Sequence, residues 1–212
     1  MFDLLIIGAG VSGISCALVL GSAKNKHFVI DKSIAIIAHQ KNSNLQEAVI
    51  NNAYGIPAGK LGADLLSDSI QHLSETYPHI TQISGEKVLK VAGEFTSSVR
   101  PSSSCPEFTI TTNKNIYKSK IVVVAIGAAN TFAIEGLMHF VEPHQKTPPE
   151  KQRIQLKNND HKVAEGIYVT GTLAGSRSQV AIAAGSGAAV AADILTLWNG
   201  GIHTQVHDSI RK

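Results

Sequence analysis

The sequence predicts an α/β fold in which helices cover a central parallel sheet and a small antiparallel β insertion interrupts the pattern. Three observations carry this. The chain opens on an apolar run, residues 4–7, that leads directly into a glycine-rich turn and then a helical segment. A second unbroken run, Ile121-Val-Val-Val-Ala125, and a third that ends in Gly171, have the composition of strands buried on both faces, as in parallel sheets. Between the first and second runs stand several short strand-like segments separated by turn formers.

The first unit is the most informative. Residues 4–7 form its strand, Gly8-Ala9-Gly10-Val11-Ser12-Gly13 its turn, and residues 14–20 its helix. Gly8 permits the sharp turn, Gly10 lets a pyrophosphate approach the backbone, and Gly13 lets the helix lie close on the sheet. The head of the helix, at Val11 and Ser12, offers unpaired N–H groups and a partial positive charge to that pyrophosphate. A second strand is expected over residues 27–30, closed by Asp31, with Lys32 beside it. Asp31 lies about 20 residues beyond the glycines, where an acid at the tip of the second strand reaches a ribose hydroxyl. An acid there, rather than an arginine, favours an unphosphorylated ribose. Strand, turn, helix and acid together indicate a Rossmann-like dinucleotide site, for FAD or NAD without distinction between them.

Composition excludes other classes. The chain has 212 residues, 43% of them hydrophobic and 17% charged, which is a globular composition sufficient for one well-packed domain over residues 1–212. Its formal charge of +3 is small and its Lys and Arg are scattered, so nucleic acid is not an expected partner. No apolar stretch is expected to reach the length of a membrane span, and a soluble, cytoplasmic protein with no membrane partner follows as the expectation. The two cysteines, Cys16 and Cys105, form no C-x-x-C pair. Cys16 stands among apolar helix residues, and Cys105 in the loop 101–106 has no basic flank to activate it.

The remaining elements follow in order. Residues 32–62, rich in Asn, Gly and Ser, read as a long active-site loop with at most a short helix, and Asn52-Ala-Tyr-Gly-Ile-Pro-Ala-Gly59 is its turn-forming core. Leu65, Leu66, Ile70 and Leu73 recur at helical spacing over residues 63–76, and Tyr77-Pro78 ends that helix. His72 and His79 have no partners at ligand spacing, so no metal is expected. Residues 80–83, 86–92, 107–112 and 115–118 read as short strands. The buried strand over residues 120–125 then runs into Ile126-Gly127-Ala128-Ala129, a close backbone approach at the carboxyl edge of the sheet. Residues 131–160 are polar, contain three prolines and are expected to be a surface connection with little core. A strand over residues 166–171 and a helix over residues 179–198, built largely of Ala, Gly, Val and Ile and stopped by Asn199-Gly200-Gly201, complete the chain. Gly185-Ser186-Gly187 imitates a dinucleotide motif but follows no strand.

Four segments in order, the N-terminal glycine motif, the NAYGIPAG loop, IVVVAIGAA and the closing GIYVTG…SQVAIAAGSGAAVAADIL, resemble the FAD-binding domain of thioredoxin-reductase-like pyridine nucleotide-disulfide oxidoreductases. The resemblance implies a Rossmann-like three-layer FAD-binding domain. It places the pyrophosphate on Gly8–Gly13, the ribose on Asp31 and the adenine near Val88. The isoalloxazine falls between the loop of Asn52 and the helix that begins at Gln179 and Val180, with Ala125, Gly127, Gly171 and Thr172 along the flavin. In the family the last strand ends in Gly-Asp, whose acid binds the ribityl chain, where this chain reads Gly171-Thr172; a Gln-Ala pair is replaced by Gln179-Val180. The family also inserts an NADPH domain with a second glycine motif and usually a C-x-x-C pair, where this chain has only a short connection, residues 130–165.

The resemblance therefore implies a flavoprotein with FAD as cofactor and an electron-donor protein or small-molecule reductant as partner, and it is compatible with a homodimer. The alternative from another class is a non-catalytic, degenerate dinucleotide-binding protein with a regulatory or scaffold role. An NAD-linked dehydrogenase ranks below both, because no His, Lys or Tyr-x-x-x-Lys constellation stands out to move a proton. No catalytic residue is named.

Overall fold

The first strand, β1 (Phe2–Ile7), is the hub of the sheet, because Leu4, Leu5, Ile6 and Ile7 are all buried and therefore need cover on both faces. The structure, a computed structural model, describes residues 1–39, 44–95, 106–128 and 132–206. Cys105, Ala129 and the loop expected over residues 101–106, apart from Pro106, lie outside the described residues.

Along the chain, α1 (Val11–Ser22) follows the glycine turn, and β2 (Ile34–Ala38) pairs parallel with β1. A short hairpin of β3 (Val49–Ile50) and β4 (Lys60–Leu61) precedes α2 (Gly62–Thr76) and β5 (Ile80–Ser84), which joins β2 in parallel. Then β6 (Val88–Ala92), β7 (Phe108–Thr112) and β8 (Ile116–Val124) form an antiparallel meander. The first half of β8 belongs to that meander and its second half pairs parallel with β1, so one strand joins the insertion to the main sheet. A two-stranded ribbon of β9 (Val141–Pro143) and β10 (Ile154–Leu156) follows, then β11 (Lys162–Ala164), β12 (Ile167–Val169) and α3 (Val180–Trp198). The main sheet runs β11-β12-β8-β1-β2-β5, with β11 its antiparallel edge.

Strand alternation sends successive side chains to opposite faces. Leu4, Ile6, Ile34, Ile36 and Val123 pack beneath the helices with Ile14, Leu20, Val190 and Ile194. Leu5, Ile7, Ala35, Ile37, Val122 and Val124 face the other way, onto Val91, Phe108, Ile110, Leu137 and Leu156. Helices, sheet and β meander are thus the three layers expected, and α/β with a small antiparallel insertion describes the fold.

Five expectations need correction. The second strand is β2, residues 34–38; residues 27–30 instead lie in a series of tight turns, where Lys26 O accepts the N–H of Val29 and Ile30 and Val29 O accepts that of Lys32. A strand between β1 and β5 must be buried on both faces, which IAIIA satisfies and the run ending at Ile30, 66% exposed, does not. Among its described residues the long loop of residues 32–62 consequently contains β2, a 3-10 turn and the β3–β4 hairpin. Residues 115–118 and 120–125 are not separate strands but one, β8. The connection from 132 to 160 is not poor in core, since Ile134, Leu137 and Leu156 are buried under the sheet. Finally, α3 is long and apolar enough, by length and composition, to cross a membrane, contrary to the expectation that no segment reaches that length; its inner face, Ser186, Gly187, Val190, Ala191, Ile194 and Leu195, is buried in this fold.

Candidate functional site

The carboxyl edge of the sheet is organised by the turn after β1. Gly8 has φ +108°, a left-handed conformation, and its N–H donates to Ile37 O at 2.9 Å. A Cβ on Gly13 would lie 1.9 Å from Gly8 O, so the helix is seated against the turn at a distance only glycine allows. Gly10 differs from both, because a Cβ there would meet nothing within 4 Å. It caps α1 with extended backbone and no side-chain hydrogen bond, so the head of α1, with Val11 and Ser12, faces open space next to a residue without a side chain. That is the arrangement that receives an oxyanion on helix N–H groups.

The parallel register sets what stands beside this turn. Ile7 pairs with Ile37, so Ala38 and His39 continue β2 at the level of the glycines. Gly85 N–H donates to Ala38 O at 2.8 Å, which brings the turn after β5, and Val88 a few residues on, to the same end. His39 Nδ1 is buried and has no hydrogen-bond partner, the one such side-chain atom among the described residues. Buried polar atoms are usually satisfied, so this unpaired ring nitrogen at the tip of β2 is a candidate for a ligand contact once the ring turns toward the open edge. Sequence reasoning missed His39 because it ended the second strand early.

Asp31 and Lys32 lie at the opposite, amino edge of the sheet. There Asp3 Oδ2 accepts the Ser33 N–H at 3.0 Å, Oδ1 accepts from Lys120 Nζ at 2.9 Å, and Lys32 Nζ is 3.9 Å from Asp3. Burial raises the Asp3 pKa, but the Ser33 N–H and the Lys120 ammonium more than offset it and hold the carboxyl below its ordinary value. Lys32 also sits 5.7 Å over the Trp198 ring. The strand-tip geometry that pointed to Asp31 belongs to His39.

The other side of the turn is built by β8, β12 and α3. Ala125 N–H donates to Ile7 O, and a Cβ on Gly8 would lie 2.6 Å from Ala125 O, which places Ala125 directly against the glycine turn. The next residues bend through Gly127 to Ala128, whose N–H donates to Thr172 Oγ1 at 2.8 Å. Gly171 N–H donates to Ser186 Oγ at 2.8 Å, and Ser186 Oγ also bonds Thr170 Oγ1 at 2.8 Å. Ser12, Gly171, Thr172 and Ser186 therefore meet around the head of α1, since a Cβ on Gly171 would touch Ser12 Oγ at 2.7 Å. Gly185-Ser186-Gly187 is used here as packing: a Cβ on Gly187 would lie 2.0 Å from Ser12 O. Gln179 is the exposed N-cap of α3 and Val180 its first residue. Asn52 is exposed on the loop of the β3–β4 hairpin, where Asn51 Oδ1 accepts the Gly59 N–H at 2.8 Å and Tyr54 projects fully into solvent.

Cys16 is buried and free, and burial pushes its thiol pKa up, which suits a packing residue and not a redox centre. Among the described residues no group of three or more His, Cys, Asp or Glu could hold a metal ion.

The residues fit a dinucleotide at its pyrophosphate, where an open glycine cradle and an uncapped helix head lie together, and the unpaired His39 Nδ1 lies along the same edge. No curated protein matches the sequence. Among solved structures, a thioredoxin reductase from Gloeobacter violaceus is similar with a TM-score of 0.70 at 12% identity, covering 100% of this chain and 99% of its own. An oxidoreductase from Agrobacterium tumefaciens has a TM-score of 0.66 at 14% identity, covering 92% and 98%. A ferredoxin-flavin thioredoxin reductase from Clostridium acetobutylicum has a TM-score of 0.63 at 17% identity, covering 93% and 98%. At these identities the likeness is one of fold. The family model described as pyridine nucleotide-disulphide oxidoreductase matches residues 2–188, and the chain belongs to that family.

Proposed function

We propose that this chain is an FAD-binding flavoprotein of oxidoreductase type that takes its electrons from an external donor, either a partner protein or a diffusing reductant. The observation that carries the proposal is the open space at Gly10 over the uncapped head of α1, at the same edge as the unpaired His39 Nδ1. Gly8, Gly10, Val11, Ser12 and Gly13 would hold the pyrophosphate, His39 the adenosine ribose and Val88 the adenine. Asn52, Gly127, Gly171, Thr172, Gln179 and Val180 would border the flavin. FAD bound there would supply the electron-transfer chemistry, and the protein would contribute binding, orientation and electrostatics. Two features of the sequence support an external donor: residues 130–165 are too few for a second nucleotide domain, and Cys16 and Cys105 do not form a C-x-x-C pair.

The test is FAD titration, followed by flavin absorbance between about 350 and 500 nm, of wild type and Gly10→Val. Wild type should acquire the flavin spectrum, whereas Gly10→Val should stay folded and colourless, because its side chain fills the pyrophosphate space. A wild-type protein that remains colourless in excess FAD refutes the proposal.

One observation favours the non-catalytic reading. The Thr172 hydroxyl already accepts the Ala128 N–H, and Ser186 takes the Gly171 N–H, so both groups at this corner are engaged internally. Thr172→Asp separates the two readings. A carboxylate can keep the Ala128 N–H on one oxygen and offer the other to a ribityl hydroxyl, so a true flavin site tightens by about 1–3 kcal/mol. In a corner that faces no ligand, the same carboxylate is unpaired and lowers the unfolding temperature without changing FAD affinity.

A further inference from the structure

Away from the glycine turn, two distant parts of the chain converge on a cavity of about 310 Å³ lined by Lys146, Thr147, Lys151, Arg153, Arg177 and Gln179. Four of its eight lining residues are cationic, and among the described residues none of the four forms an ion pair. Glu150, the acid nearest in sequence, does not line the cavity. Four like charges around one hollow repel each other, and an anion of matching charge relieves that repulsion.

The cavity is built rather than accidental. His144, only 6% exposed, accepts the Lys146 N–H on Nδ1 at 3.2 Å and has the Thr147 hydroxyl 3.0 Å from the same nitrogen. Its Nε2 is therefore the protonated nitrogen and donates to Ser176 O at 3.3 Å, across to the segment that carries Arg177. Buried Gln155 braces the first wall from within, accepting the Gln145 N–H at 3.1 Å and donating to Glu142 at 2.7 Å. The His144–Ser176 bond thus joins the two walls, and the first wall is held in shape by its own buried polar groups. The head of α3, a helix of 19 residues with no side-chain cap, adds its dipole to the same side. Two guanidinium groups, two ammonium groups and the Thr147 hydroxyl form a donor set suited to phosphate oxygens, with Arg supplying bidentate geometry and Lys point charge.

We propose that this cavity is an oligophosphate site that receives a diphosphate or triphosphate group; it shares Gln179 with the border of the proposed flavin site but none of the residues of the glycine turn. The test is calorimetric titration of the full chain with inorganic pyrophosphate and, in parallel, with ADP, in wild type, Gly10→Val, and the double variant Lys151→Gln/Arg177→Gln. Both substituted side chains in the double variant are exposed, so its thermal unfolding should match wild type and serves as the folding control. Saturable pyrophosphate binding, retained in Gly10→Val, weakened by about tenfold or more in the double variant and weakened further by added salt, supports the site. Tighter binding of ADP than of pyrophosphate identifies a nucleotide as the source of the phosphates, and equal binding identifies the free anion. Should pyrophosphate binding vanish in Gly10→Val and survive in the double variant, the anion belongs to the glycine turn and the proposal fails. It fails equally if wild type shows no saturable binding.

Discussion

At the scale of single residues, the tip of the strand beside the glycine turn is occupied by His39 and not by Asp31. His39 Nδ1 is buried without a partner at the carboxyl edge, whereas Asp31 lies in the turns before β2, at the far edge. A hydrogen bond from this ring to a ribose hydroxyl would contribute about 0.5–1.5 kcal/mol. His39→Ala should therefore weaken dinucleotide binding by up to about tenfold, and Asp31→Ala should leave it within about 0.5 kcal/mol of wild type. Fluorescence titration with FAD measures both; a loss on Asp31→Ala with none on His39→Ala would reverse the assignment. The discrimination against a 2′-phosphate that an acid at Asp31 would have supplied has no basis at that position. The glycine turn was legible because each glycine answers a steric demand visible in the motif. The tip of the second strand was not, because the chain offers two apolar runs in succession, Phe28-Val29-Ile30 and Ile34-Ala-Ile-Ile-Ala38, and the first ends in an acid at the expected spacing. Only the need for burial on both faces selects the second.

At the scale of elements, the antiparallel meander is tied together by one carboxylate. Glu86, 6% exposed, accepts hydrogen bonds from Thr112 Oγ1 at 2.6 Å, Asn115 Nδ2 at 2.8 Å and Tyr117 OH at 2.9 Å, linking the approach to β6 with β7 and β8. The Thr112 hydroxyl is the main cause of a lowered pKa; burial opposes it, and Asn115 and Tyr117 add to it. A carboxyl whose folded pKa lies below its unfolded value of about 4.3 stabilises the fold above that value. That contribution is lost as pH falls through the folded pKa. Thermal unfolding of wild type should accordingly show a larger drop between neutral and acidic pH than Glu86→Gln, which loses the contribution at neutral pH already. Parallel pH curves for the two proteins would show that folding does not shift the Glu86 pKa. The strands of this meander were readable from their alternation and bounding turns. The packing of residues 132–156 was not, because its buried side chains, Ile134, Leu137 and Leu156, are isolated in a polar, proline-containing stretch and follow neither helical nor strand period.

At the scale of the whole molecule, the two ends of the chain meet through α1 and α3, and stability and the candidate site depend on the same contact. Small residues on α3 let its backbone approach α1 so closely that a Cβ on Gly187 would lie 2.0 Å from Ser12 O, while Ser186 holds the Gly171 N–H beside it. Gly185, two residues earlier and exposed, meets nothing within 4 Å. The two glycines have opposite expectations under the same substitution. In Gly185→Ala the helix loses a flexible residue and meets no obstacle, so the protein should gain up to about 1 kcal/mol. In Gly187→Ala the added methyl meets backbone, which cannot rotate away. The helices must separate at a cost of about 1–3 kcal/mol, and the displaced first turn of α1 should weaken FAD binding as well. Chemical denaturation with FAD titration on both variants tests this. If Gly187→Ala lowers stability but leaves FAD affinity unchanged, α3 supports the fold without positioning the site; if both variants behave alike, the close approach of α1 and α3 is not what the small residues provide.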